Sequence, residues 1–237
     1  MNLCIDIGNT AVKAALDGCL CPVRGNDLGC IRPLASKGDV DKTIVCSTVD
    51  LTPEMRREIE QLGAPVVYMD HTTPIPLRNL YHTPETLGMD RLAAAVGAYE
   101  QHQGELLVID AGTAITYDRV TADGEYLGGN ISPGVEMRLK ALHEFTAKLP
   151  LVAEWGNCPE FGYDTETAIR SGVKNGIKCE IEHIICEMFL KYPNIRVFFT
   201  GGDHFNFDNT IKNRIFADDL LVLKGLNAIC GFAAVRS

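Results

Sequence analysis

Two aspartates, each ending an apolar run and each followed by a glycine turn and a hydroxyl residue, are the groups in this chain best equipped for chemistry. The first lies in Leu3-Cys4-Ile5-Asp6-Ile7-Gly8-Asn9-Thr10 and the second in Leu107-Val108-Ile109-Asp110-Ala111-Gly112-Thr113-Ala114. Glycine lets the backbone turn sharply and brings its N–H groups close to phosphate oxygens. A following Thr or Asn can donate to a phosphate, and the carboxylate can hold Mg2+ directly or through water, because hard cations prefer oxygen. Asp, Asn and Gly are equally favoured in plain β-hairpin turns, so one such segment alone says little. Two in matching contexts, 104 positions apart in 237 residues, point to a duplicated unit whose acidic corners face each other across a cleft. Such a cleft suits a polyphosphate and its metal ion.

Three further clusters add to these corners. Gly88-Met89-Asp90-Arg91 stands where a loop runs into a helix. Asp90 there either caps the helix and favours its dipole or accepts a hydroxyl proton, while Arg91 has the planar fork that binds a carboxylate or phosphate. Leu127-Gly128-Gly129-Asn130-Ile131-Ser132-Pro133-Gly134 carries a strand through a glycine-rich loop to a helix N-terminus, a favourable place for an anion. Thr200-Gly201-Gly202-Asp203 follows an apolar strand, and its backbone could pass flat under a purine or ribose.

The elements that must position these residues read as two halves, 1–104 and 105–237. The first predicts strands over 2–7, 11–16, 19–24, 43–47 and 65–69, with a polar loop at 25–41 too short and irregular for a regular helix. Helices are expected over 53–62, where Pro53-Glu54 marks a start, and over 90–102, after a proline-rich loop at 72–84. The second half repeats the order: strands 105–110, 113–119 and 125–131 with a hairpin at Asp123-Gly124, then a helix over 134–146. An irregular stretch follows at 148–163, then a long helix over 165–191 with a break expected near Gly172 and Gly176. Strand 195–200, a short helical stretch, strand 219–223 and helix 225–235 close the chain. Each half is thus a β-meander followed by α/β units. No low-complexity linker divides them, so the halves are expected to pack together and share a cleft.

Bulk composition narrows the partners. Hydrophobic residues make up 46% and charged residues 22%, as in ordinary globular proteins. A net charge of −9 argues against a nucleic-acid or anionic-membrane surface. No apolar run reaches the length of a membrane span, and no signal peptide is expected. Nine scattered cysteines without a paired C-x-x-C, and six histidines without ligand spacing, read as a reduced cytoplasmic protein rather than a disulfide or zinc framework.

Taken together and in this order, the five segments resemble type III pantothenate kinases, within the acetate and sugar kinase/Hsp70/actin superfamily, and the resemblance covers essentially the whole length. It implies two duplicated ribonuclease H-like (actin-like ATPase) halves, each a mixed β-sheet with helices, with the cleft between them. It implies ATP-dependent phosphorylation of the primary hydroxyl of pantothenate, the first step towards coenzyme A. Asp6, Ile7, Gly8, Asn9, Thr10, Ala11, Val12 and Lys13 would form the first phosphate loop, with Asp6 near Mg2+ and Lys13 near the phosphates, and Thr113 would touch ATP. Asp90 would be the base. Tyr81, Gly88, Met89, Asp90 and Arg91 would hold pantothenate, together with Thr165 or the nearby Thr167. Asp110 would bind a monovalent cation, K+ or NH4+. Family members are homodimers with pantothenate near the subunit interface. In the 165–191 helix, Ile177, Ile181, Ile184, Ile185 and Met188 could serve that interface or an ordinary core. The rival readings are another small-molecule kinase or phosphatase of the superfamily, and a non-catalytic nucleotide-binding regulator that kept the fold.

Overall fold

The computed structural model describes residues 1–203, 205, 207 and 209–236. In chain order the elements are β1 (Asn2–Ile7), β2 (Val12–Leu16), β3 (Leu20–Gly25), α1 (Arg32–Ala35), β4 (Lys42–Ser47), α2 (Pro53–Glu60), β5 (Val66–Tyr68), β6 (Arg78–Asn79) and α3 (Met89–Gln101). They continue with β7 (Leu106–Ala111), β8 (Ala114–Val120), β9 (Glu125–Pro133), α4 (Val135–Glu144), α5 (Thr165–Lys191), β10 (Arg196–Gly201), α6 (Asn209–Lys212), β11 (Ile215–Ala217) and α7 (Leu221–Arg236).

Two mixed sheets result. The first runs β3-β2-β1-β4-β5, and the second, read from its β9 side, runs β6-β9-β8-β7-β10-β11. In each, a three-stranded antiparallel meander is followed by two strands parallel to its first strand. The strand order 3-2-1-4-5 of one sheet is therefore repeated in the other, with the two-residue β6 added at its edge. This is the duplicated α/β architecture the resemblance implied.

Helices α3 and α7 fill the space between the sheets. Leu92, Ala93, Val96, Leu221, Leu226 and Ile229 pack with Cys4 and Ile44 of the first sheet and Leu106 and Val108 of the second in one buried cluster. Their contact is close because Gly97 and Gly225 face the partner helix: a Cβ on either would run into the carbonyl of Leu221 or Ala93. A second cluster lies on the outer face of the second sheet. There Ile169, Val173, Ile177, Ile181 and Ile185, spaced four apart along α5, meet Leu107, Ile109, Val197 and Phe199. Those isoleucines are core; Ile184 and Met188 are only partly buried beside it.

Several local expectations need correction. The apolar run 219–223 is not a strand; from Leu221 it is the first turn of α7, and Gly225, read as a boundary, is a packing residue within that helix. Short apolar runs do not separate buried helix from buried strand by pattern alone. The closing strand is Ile215–Ala217, parallel to β10. Helix α5 runs unbroken through Gly172 and Gly176, started by a capping box in which Asp164 Oδ1 accepts from Thr167 N at 2.8 Å. The 25–41 segment holds one 3-10 turn (Leu28–Cys30) and the single-turn α1, with Leu28, Ile31 and Leu34 buried against the first sheet.

Candidate active site

The duplicated strand order puts the C-terminal ends of β1 and β7 at the same place in their sheets, and so aims both acidic corners at one another. Gly8 N donates to Ala11 O at 2.9 Å in the first corner, and Gly112 N to Ala114 O at 3.0 Å in the second. The corners touch: Thr10 Oγ1 and Thr113 Oγ1 lie 2.8 Å apart. Between them opens a cavity of about 390 Å³.

Asp6, Gly8, Asn9, Thr10, Ala11 and Lys13 line that cavity from the first sheet, Asp110 and Thr113 from the second, and Asp90 from the first turn of α3. Ile7 and Val12, the alternate residues of the same segment, point the other way and are buried core. Asp90 is not itself the helix cap. Gly88 occupies that position, and its missing Cβ leaves room for the Asp90 carboxylate to fold back over the helix start.

The three carboxylates perturb one another. Burial, reinforced by the charges of Asp90 and Asp110 and opposed by Lys13, pushes Asp6 up to about 7. Burial pushes Asp110 up to about 6, with Lys13 opposing and Asp90, Asp118 and Asp203 adding repulsion. Asp90 is also raised, by burial first, although the Arg91 backbone N–H and side chain favour its ionised form. Among the described residues no protein donor bonds the carboxylate of Asp6 or Asp110, and Thr116 Oγ1, which lines the same cavity, is buried without a partner. Oxygen donors short of positive charge are what a hard cation requires. No three His, Cys, Asp or Glu side chains among the described residues converge to cage an ion. Such a cation would take further ligands from water and phosphate, the usual habit of Mg2+.

The other expected substrate residues lie off this cavity. Arg91 is buried and bound to the buried Asp118, with Nη2 at 2.7 Å and Nε at 3.1 Å from Oδ1, and Tyr126 OH also donates to that oxygen at 2.6 Å. The Tyr81 ring lies 5.8 Å from the Arg91 guanidinium and packs on Gly128, where φ is 85° and a Cβ would strike the ring. Gly88 and Met89 form the start of α3 beneath Asp90. Thr165 is exposed in a different cavity, an apolar groove of about 830 Å³ between α4 and α5 lined by Leu142, Phe145, Ile169 and Val173. Thr167 is buried, and its hydroxyl accepts the Tyr163 and Asp164 backbone N–H groups at 3.1 Å.

Several cavity residues were not singled out from the sequence: Arg24, Thr48, Thr116, Glu136 and Glu154. Arg24 and Thr116 stand on expected strands, but their pairing with Lys13 and Asp110 is a register that the structure supplies. Glu154 sits in an irregular segment and had no periodic signal. The Thr200–Asp203 turn wraps onto the end of β7, with Gly202 N and Asp203 N donating to Ala111 O at 2.9 and 3.0 Å; Gly201, at φ 109°, makes that approach possible.

Comparison with known proteins gives a family and a fold. The family model described as type III pantothenate kinase matches residues 29–187. A Bacteroides fragilis protein named type III pantothenate kinase is 52% identical over 238 residues, covering 98% of each chain. Among solved structures, a Campylobacter jejuni protein described as a Baf family transcriptional activator superposes with a TM-score of 0.61 at 24% identity, over 97% of each chain. A Sinorhizobium meliloti protein described as a putative 2-dehydro-3-deoxygalactonokinase superposes with a TM-score of 0.56 at 14% identity, over 97% of this chain and 98% of its own. At those identities the two structures speak for the fold alone.

Proposed function

The chain belongs to the type III pantothenate kinase family, and from that premise we infer that it transfers the γ-phosphoryl group of ATP to the primary hydroxyl of pantothenate, giving 4'-phosphopantothenate, the first step of coenzyme A biosynthesis. The observation that carries this reading to the residues is the convergence of Asp6, Asp90 and Asp110 on one cavity between two matching sheets. We take 1–104 and 105–237 as the two functional halves, although β6 of the first joins the sheet of the second.

Phosphoryl transfer asks mainly for alignment and charge neutralisation. The backbone N–H groups of Asn9 to Ala11 and the hydroxyls of Thr10 and Thr113 present donors to the phosphates, and Lys13 adds positive charge. Asp6 would hold Mg2+, partly through water, and the bound ion would supply charge neutralisation on the phosphate oxygens. Asp110, with the unpartnered Thr116 hydroxyl beside it, would hold K+ or NH4+. Asp90 orients the pantothenate hydroxyl and accepts its proton; its raised affinity for protons suits that task. Tyr81, Gly88, Met89 and Arg91 flank the substrate, with Asp118 fixing Arg91. Of the two threonines, Thr165 is the one free to meet substrate, since Thr167 is spent on the helix cap.

Thr165 lines a groove that shares no lining residue with the cleft of its own chain, which fits a substrate site completed by a second subunit. Phe145 in that groove and Trp155 and Phe161 of the 148–163 segment, at 86%, 81% and 84% exposure, support a homodimer through α4, α5 and that segment. No helix among the described residues is long and apolar enough to cross a membrane. All nine cysteines are free, in keeping with a cytoplasmic setting. A coupled assay with pantothenate and MgATP, with and without K+, tests the reading. Turnover that rises with K+ is expected; K+-independent turnover would remove the cation from Asp110, and no turnover would remove the activity.

A further inference from the structure

We propose that Arg24 is a second phosphate-binding residue, which with Lys13 forms a two-cation clamp on the nucleotide and spans the cleft to the Gly201-Gly202 turn. Its role presupposes that the cleft binds a nucleotide, as proposed above. Register supplies the first support. Across the first sheet Asp6 stands opposite Lys13, and Lys13 opposite Arg24, so the three side chains form one row on one face. Like charges directly opposite each other on neighbouring strands repel; the Asp6 and Asp110 carboxylates offset the Lys13 charge without forming an ion pair with it. Among the described residues neither Lys13 nor Arg24 has an ion-pair or hydrogen-bond partner, although Asp219 lines a side cavity of about 210 Å³ that both cations share. Two adjacent unpaired cations in the cleft are a site for an anion.

Position supplies the second support. Arg24 lies on the edge strand β3, yet its guanidinium crosses to the other half: a Cβ on Gly202 would stand 3.3 Å from Arg24 Nη2 and 3.6 Å from Nη1. It lines both the main cavity and the side cavity next to it. Successive strands are about 4.8 Å apart, so the row runs outward from the carboxylate at the transfer end, past Lys13, to Arg24 about two strand spacings away. A polyphosphate reaching from the carboxylates towards the Gly201-Gly202 turn would pass Lys13 first and Arg24 second. Arg24 therefore acts on the nucleotide and not on the phosphoryl acceptor.

The test is calorimetric titration of MgADP into wild type, Arg24→Ala and Arg24→Lys, with the ATP and pantothenate KM values measured alongside. Loss of a charge-assisted phosphate contact should weaken MgADP binding roughly 10- to 100-fold in Arg24→Ala. ATP KM should rise in parallel, the pantothenate KM should hold, and Arg24→Lys should recover part of the affinity. MgADP affinity within twofold of wild type in Arg24→Ala overturns the assignment. If Arg24→Ala melts early, the titration is read on Arg24→Lys and Arg24→Gln, where equal affinities for the two count against a charge contact. Weakened MgADP binding in a protein that leaves pantothenate untouched upholds Arg24 and sinks the choice of acceptor; pantothenate turnover with unchanged MgADP affinity does the reverse.

Discussion

The two halves share a strand order but carry different chemistry on matching rows. In the first sheet the corner carboxylate Asp6 is followed across the strands by Lys13 and Arg24; in the second, Asp110 is followed by Thr116 and Ile131. Duplication explains why two acids meet at one cleft. Divergence on the neighbouring strands leaves them in different surroundings, because within its own sheet one acid has two cations in register with it and the other has a hydroxyl. The outer layers diverge as well. The first half covers its sheet with the four-residue α1 and eight-residue α2, whereas the second builds the 27-residue α5 and an apolar groove beside it.

That comparison can be broken at several points. The largest effect should come from the group that belongs to neither corner: Asp90→Asn should lower kcat roughly 10²–10⁴-fold, and near-normal turnover would leave the two corners without a base between them. Next is the tie between halves. Arg91 on α3 and Asp118 on β8 form a buried pair, so Asp118→Ala strands a buried guanidinium and should cost about 3–5 kcal/mol in urea unfolding; a loss under about 1 kcal/mol would mean that the pair holds nothing together.

A smaller, opposite change is expected at the second corner. A carboxyl pushed up to about 6 in the folded protein binds protons more tightly there than in the unfolded chain. Stability from this group is therefore highest at low pH and falls as pH rises from about 4 through 6. Asp110→Asn should then stabilise the ligand-free protein by on the order of 2 kcal/mol at pH 8, with the gain fading towards pH 4, while K+ activation disappears. Melting curves across that range check the sign; a variant less stable than wild type at pH 8 contradicts it. The smallest effect should be at the contact between corners, where Thr10→Val removes one exposed hydroxyl pair and should cost about 0.5–1.5 kcal/mol or less in stability.

Much of the fold was legible because its repeat was written twice. The Asp-x-Gly corners, the meanders after them and the Asp90 helix all follow from apolar runs closed by turn residues, signals that survive without knowledge of packing. What escaped depended on long-range partners. The run Leu221–Leu223 has the composition of a strand and is helical because Gly225 lets it lie against Gly97 of α3, over 120 residues away. The resemblance gave Thr165 or Thr167 a substrate role, yet nothing local showed that Thr165 opens on a groove separate from the cleft. Arg24 belongs to none of the sequence motifs, and only its register with Lys13 across the sheet sets it apart.

The most direct test of the central claim is an acceptor panel: purified protein, MgATP and K+, with pantothenate set beside sugars and sugar acids, and product identified by mass. One 4'-phosphopantothenate per ATP consumed, with sugars inert, is the predicted result. Phosphorylation of a sugar while pantothenate stays unchanged would contradict it.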